Sequence, residues 1–146
     1  LNKKVIIGSD HAGFAAKEQL KQILSGWGYT VKDVGCDSDT SCDYPDYAQA
    51  VARGILQEDF DRGVLICGTG IGMSIAANRF PGIRAALCTS EEHARLSRLH
   101  NDSNVLCLGS RLQTVDAMQN ILKVWLDTAF AGGRHLRRIQ KIENRG

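Results

Sequence analysis

The chain has 146 residues, 43% of them hydrophobic and 23% charged, with a formal net charge of +2. That balance is ordinary for a globular protein long enough to bury a core. So small a charge gives no electrostatic case for nucleic-acid or membrane binding. One domain over residues 1–146 is expected. Basic side chains gather near the end, where Arg134, Arg137, Arg138, Lys141 and Arg145 are offset by Glu143 alone. Five cysteines make an odd number and show no zinc-like spacing. No apolar run is long enough to span a bilayer, and the charged opening does not resemble a signal peptide. A reducing, cytoplasmic setting is therefore expected.

Lys3 to Asp10 reads as a short buried strand. Ala12 to Leu24 carries Phe14, Leu20, Ile23 and Leu24 near helical spacing, and Gly26 with Gly28 stops it. Tyr29 to Gly35 is a second strand, Cys36 to Tyr44 a polar loop, and Pro45 to about Leu56 a helix. Gly63 to Cys67 is the third strand, followed by a glycine loop and a helix to about Arg79; Pro81-Gly82 marks a turn. A fourth strand is expected over Ile83 to Cys88. Ser90, with Glu91 and Glu92, opens the helix after it. Asn104 to Gly109 is the fifth strand. Thr114 to Ala129 is a long helix with Val115, Met118, Ile121, Leu122, Trp125 and Leu126 on one face. Gly132-Gly133 forms a hinge before a basic helix over Arg134 to Asn144. Short apolar strands alternating with helices predict an α/β fold. The expected form is a three-layer αβα sandwich around a five-stranded, parallel, Rossmann-like sheet, with a C-terminal basic helix.

In such a sheet, ligands bind beyond the carboxyl ends of the strands. The residues there are Asp10-His11, the loop before Tyr44, Cys67 with its glycines, Thr89-Ser90 and Ser110-Arg111. The stretch Cys67-Gly68-Thr69-Gly70-Ile71-Gly72 organises the rest. Its alternating glycines leave backbone N–H groups unshielded beside a helix N-terminus, which suits an anion or a developing oxyanion. The same dipole favours a thiolate, so Cys67 is expected to be reactive. A buried, inert thiol is the competing reading, and the strand-end position argues against it. The dinucleotide pattern GxGxxG fails because residue 73 is Met, and no GxxxxGK[ST] occurs. A phosphate-cradling cysteine followed by five residues and arginine also fails at Met73.

Asp10 reads equally as a helix cap, which leaves His11 unexplained. His100-Asn101-Asp102 reads as a polar turn. Arg134 and Arg138 share a helix face at i and i+4, the usual pattern of a solvated basic helix. His93 and His135 make no strong case. Cys88 and Cys107 sit in apolar runs as core residues, and Cys36 and Cys42 remain open to a redox or structural role.

Taken in order, Gly8-Ser9-Asp10-His11-Ala12-Gly13-Phe14, Asp43-Tyr44-Pro45, Cys67-Gly68-Thr69-Gly70-Ile71-Gly72, Ala76-Ala77-Asn78 and Gly82-Ile83-Arg84-Ala85 resemble the type B ribose-5-phosphate isomerases. So do Leu99-His100-Asn101-Asp102-Ser103-Asn104, Gly109-Ser110-Arg111 and Gly132-Gly133-Arg134-His135. The resemblance implies interconversion of ribose 5-phosphate and ribulose 5-phosphate with no metal or other cofactor. It implies Cys67 as the base between C1 and C2 and His100 in opening the sugar ring. Asp10, His11, Gly68, Thr69, Gly70, Ile71, Gly72 and Asn101 would contact the sugar. Arg111, Arg134 and Arg138 would bind its phosphate. It also implies a homodimer, or a dimer of dimers, with sites shared between chains. One branch of the family uses a glutamate from the glycine loop, and Met73 sets this chain with the cysteine branch. Thr69 is expected to relay a hydroxyl proton. The alternatives are an isomerase of allose 6-phosphate or galactose 6-phosphate, and a non-catalytic sugar-phosphate-binding module.

Overall fold

The computed structural model describes residues 3–57 and 60–144. Strands and helices alternate as β1 (Lys4–Ser9), α1 (Phe14–Gly26), β2 (Thr30–Asp33), α2 (Tyr44–Gln57), β3 (Arg62–Cys67) and α3 (Ile71–Ala77). They continue as β4 (Ala85–Leu87), α4 (Glu91–Asn101), β5 (Val105–Gly109), α5 (Val115–Asp127) and α6 (Arg134–Glu143). The five strands form one parallel sheet in the order β2-β1-β3-β5-β4. Apart from Lys4, Ser9 and Arg62 at their ends, the inner strands β1, β3 and β5 carry no polar side chain, because helices cover both faces. On one face Leu20, Leu24, Met118, Leu122 and Trp125 pack against Val5, Val64 and Leu106. On the other, Ala48, Val51, Met73 and Ala77 pack against Ile6, Leu65 and Val105. This is the expected αβα sandwich.

Boundaries move where hydrogen bonds redirect the chain. Helix α1 takes in Gly26 as its last residue, and Gly28, at φ +91°, turns the chain just beyond it. The glycine loop's helix ends at Ala77 rather than Arg79. Strand β4 is shorter than expected because the Ile83 N–H donates back to Phe80 O, closing a turn instead of joining the ladder. Ser90 and Thr114 cap α4 and α5, their hydroxyls accepting from the N–H groups of His93 and Ala117.

The least expected core residue is Lys17, on the buried side of α1 and fully enclosed. Its Nζ lies 2.6 Å from Asp33 Oδ2 and 3.2 Å from Glu18 Oε1, with the Phe14 ring 5.2 Å away. A buried ammonium needs such partners, and here they tie α1 to the end of β2.

The site follows from the strand order. The chain leaves β1 toward β2 on one side and returns for β3 on the other. The loops after β1 and β3 therefore part and open a crevice at the strands' carboxyl ends.

Candidate active site

Register fixes which residues meet in the crevice. Ser9 pairs with Ile66, and Cys67 pairs with Gly109. Cys67 is thus flanked by Asp10, one residue past β1, and by Ser110-Arg111, just past β5. The turn is stitched closed by Ser110 N–H donating to Cys67 O at 2.9 Å and Arg111 N–H to Gly68 O at 2.9 Å. Ser110 Oγ donates to Ala12 O at 2.8 Å, joining the β1 loop to the β5 loop.

Cys67 is 5% exposed and belongs to the hydrophobic cluster that holds Met73, Ala77 and Cys107. Its sulfur does not face aliphatic neighbours alone. The Gly70 N–H donates to Cys67 Sγ at 3.2 Å. Gly70 can make this contact because φ is +80°, and a Cβ there would sit 2.6 Å from Leu87. Cys67 lines a cleft of about 430 Å³ together with Asp10, Tyr44, Gly68, Thr69, Ile71, Gly72, Ile75 and Arg111. Arg111 lies over Gly68, where an added Cβ would come 2.9 Å from the guanidinium. Thr69 is exposed at the rim, its Oγ1 accepting from the Ile71 N–H at 3.2 Å.

Asp10 is 7% exposed and does act as a local cap, its Oδ1 accepting from the Gly13 N–H at 3.1 Å. The same carboxylate lines the cleft, so the capping and binding readings are compatible. His11 takes a partner from outside its own loop, because Cys42 N–H donates to its Nδ1 at 3.2 Å. The residue missed from sequence is Tyr44. Its ring closes the cleft against Gly72, where a Cβ would come within 2.7 Å of it. The Asp43-Tyr44-Pro45 motif was the available signal, but it named no role.

His100, Asn101, Arg134 and Arg138 are not part of this cleft. Helix α4 runs back along the sheet, so its last residues lie at the strands' amino ends, just before β5 begins at Val105. Crossing β5 to the level of Cys67 takes about 13 Å at the usual rise per residue. At that far end His100 stacks on His135, ring centroids 4.4 Å apart and 18° from parallel. His135, discounted from sequence, is therefore a member of the group. Helix α6 is held there by Ala131 N–H donating to Leu99 O at 3.1 Å. Glu143 adds two anchors, accepting from Gly82 N–H at 2.9 Å and Arg84 Nη1 at 2.7 Å. The cluster is electropositive. Partial desolvation first, then the His100, Arg134 and Arg138 charges, push the His135 pKa down. Asn101 lines a separate cavity of about 330 Å³ with Asn78, Arg84 and Ser103.

Among the described residues, no group of three or more His, Cys, Asp or Glu is placed to hold a metal ion, and no helix is long and apolar enough to cross a membrane. Cys88 and Cys107 are core residues as expected; burial pushes the Cys88 pKa up to about 11, and that of Cys107 higher still.

Comparison with known proteins accords with this geometry. The family described as Ribose/Galactose Isomerase matches residues 5–142. The chain is 45% identical over 140 residues to ribose-5-phosphate isomerase B of Escherichia coli, covering 96% of this chain and 94% of that protein. Among solved structures it is similar to ribose 5-phosphate isomerase B from Thermotoga maritima, with a TM-score of 0.95 and 51% identity over 98% of this chain and 99% of that one. The Clostridium thermocellum ribose-5-phosphate isomerase B structure also gives a TM-score of 0.95, with 48% identity over 96% of this chain and 95% of the other. The chain belongs to the ribose/galactose isomerase family and is an isomerase of phosphorylated sugars.

Proposed function

We propose that this isomerase interconverts ribose 5-phosphate and ribulose 5-phosphate, with Cys67 as the base that moves the proton. The observation that carries the proposal is Cys67, whose sulfur accepts from the Gly70 amide and which lines a cleft with Asp10, Tyr44 and Arg111. The choice of a five-carbon sugar follows the relatives named ribose-5-phosphate isomerase B.

In the open-chain aldose, the Cys67 thiolate takes the proton from C2, and the electron pair moves through C1 onto the carbonyl oxygen. The resulting enediolate loses its O2–H proton as O1 gains one. Cys67 then returns its proton to C1, leaving a ketone at C2. Amide donors of the glycine loop hold the developing oxyanion, each worth roughly 3 kcal/mol of barrier. Thr69, at the rim, serves the hydroxyl proton transfer. Asp10, His11 and Tyr44 orient the sugar. The phosphate does not react, and its binding energy positions C1 and C2 against the sulfur.

His100, Asn101, Arg134 and Arg138 lie at the other end of the sheet, so we assign them to the site of a second copy. A homodimer then makes two sites, each pairing one chain's cleft with the other's histidine and arginine cluster. Exposed apolar side chains support this reading. Tyr44, Ile71 and Ile75 are 40%, 49% and 58% exposed beside the cleft, and Leu136 and Ile142 are 48% and 53% exposed on α6.

Parallel assays on ribose 5-phosphate, allose 6-phosphate and galactose 6-phosphate test the substrate. The highest kcat/KM is expected on ribose 5-phosphate. Turnover confined to a six-carbon sugar, or absent on all three, contradicts the assignment.

A further inference from the structure

Helix α6 carries Arg134, His135 and Arg138, yet little packing holds it. Ile139 is its one buried side chain. It follows Gly132 and Gly133, at φ +70° and +60°, where an added Cβ would meet nothing within 4 Å. A helix joined in this way can pivot at its start, so its angle depends on what holds its far end. The hold is Glu143 in the last turn, about 14 Å along the axis from Arg134 at the usual rise per residue. Its two carboxylate oxygens are divided: Oε2 accepts from Gly82 N–H at 2.9 Å and Oε1 from Arg84 Nη1 at 2.7 Å.

Arg84 reaches two elements at once. While Nη1 takes Glu143, Nε donates to Asp102 O at 3.0 Å and Nη2 lies 3.5 Å from Asp102 Oδ2. Asp102 ends α4 directly after His100 and Asn101, and among the described residues it is the one non-glycine at positive φ, +47°. Arg98 Nη1 donates to its other oxygen at 2.8 Å. The Arg84 backbone is fixed in turn: its N–H donates to Asn104 Oδ1 at 2.8 Å, and Asn104 Nδ2 donates to Gly82 O at 2.9 Å. One planar guanidinium therefore joins the helix bearing the arginines to the turn behind His100-Asn101 and holds the two in a fixed relation. Arg84 itself lies outside the Cys67 cleft.

We propose that Arg84 is a positioning residue for the isomerisation, setting α6 against the end of α4 so that Arg134 and Arg138 meet a phosphate whose sugar His100 and Asn101 engage. This rests on the roles given to those four residues above. In it Arg84 touches no substrate and moves no proton. Its effect is on binding. A loosened α6 must be ordered again each time phosphate binds, which weakens ground state and transition state alike and raises KM more than it lowers kcat.

The test uses the whole protein, as wild type, two single variants and their combination. It measures kcat and KM on ribose 5-phosphate, the dissociation constant of inorganic phosphate by calorimetry, and the His135 ring resonances by NMR. Glu143→Gln keeps the side chain's shape but leaves one acceptor for two donors. Arg84→Lys keeps the charge but has no fork to span Asp102 and Glu143. Each should raise KM and the phosphate dissociation constant about tenfold and hold kcat within about threefold. The His135 resonances should shift as its stack on His100 loosens. The double variant should be no worse than the poorer single one, because both changes break the same clamp. An unchanged KM in both single variants overturns the proposal, as does a raised KM with the phosphate constant and His135 unmoved. Multiplied effects in the double variant also overturn it, since two independent contacts would then be at work. Where Glu143→Gln fails to fold, Arg84→Lys decides; failure of both makes the clamp purely structural and overturns the role. If the wild type turns over no ribose 5-phosphate, the functional reading fails, while the phosphate constant and the His135 shift still decide this one.

Discussion

His100 stacks on His135 with 4.4 Å between ring centroids, at the end of the sheet opposite Cys67. If Cys67 is the base and His100 opens the ring of the same sugar, as proposed, a single chain cannot supply both. Mixing two variants that are inactive for different reasons tests the consequence. Cys67→Ala and His100→Ala, denatured and refolded together, should recover about a quarter of wild-type turnover. Half of the dimers are then mixed, and each mixed dimer holds one intact site. No recovery beyond the separate variants would contradict the shared site.

The same cluster should report phosphate directly. Desolvation and neighbouring cations hold the His135 pKa below its ordinary value of 6.5. A bound phosphate dianion stabilises the imidazolium, so the pKa should rise when ribose 5-phosphate or inorganic phosphate binds. An NMR titration of the histidine ring with and without ligand measures this. An unmoved His135 would remove Arg134 and Arg138 from the phosphate assignment.

Lys17 and Asp33 make a stability prediction. Burial would raise the Asp33 pKa, but hydrogen bonds from Lys17, Lys21 and the Gly35 amide outweigh it and hold the carboxylate below its ordinary 3.8. A depressed carboxylate pKa stabilises the fold above the ordinary value, and the contribution fades as pH falls through the folded one. Asp33→Asn leaves a buried ammonium poorly paired and should cost about 2 kcal/mol at neutral pH. That is less than a fully buried pair because Asp33 is partly solvated. Urea unfolding of both proteins should show the gap narrowing in acid below pH ~4. A gap that is constant with pH would refute the ion pair as its source.

Gly70 tests the hold on the thiol. Gly70→Ala forces a side chain to φ +80° and a Cβ to within 2.6 Å of Leu87. It should lower kcat by about tenfold or more by shifting the amide that meets Cys67, with circular dichroism unchanged. Full activity in that variant would mean that the contact is dispensable.

Much of the fold was legible because strand and helix periodicities alternate cleanly, and Ser90 and Thr114 cap where the pattern starts. The cleft was legible too, since Cys67 ends an apolar run and meets three glycines. Lys17 was not, because a lysine within an amphipathic pattern carries no sign that its partner, Asp33, lies across a turn. Nor was His135. Its stacking partner is 35 positions earlier in the chain, and local spacing says nothing about such a contact. The distance of His100 from the cleft was hidden for a related reason. Motifs record which residues a family shares, whereas the direction of α4 decides which end of the sheet they occupy.

The central claim concerns the Cys67 sulfur, and Cys67→Ala measures it most directly when turnover and binding are read on the same sample. The account predicts a fall of at least about a thousandfold in kcat on ribose 5-phosphate, with the dissociation constant by calorimetry within about threefold of wild type. Turnover close to wild type in that variant would contradict it.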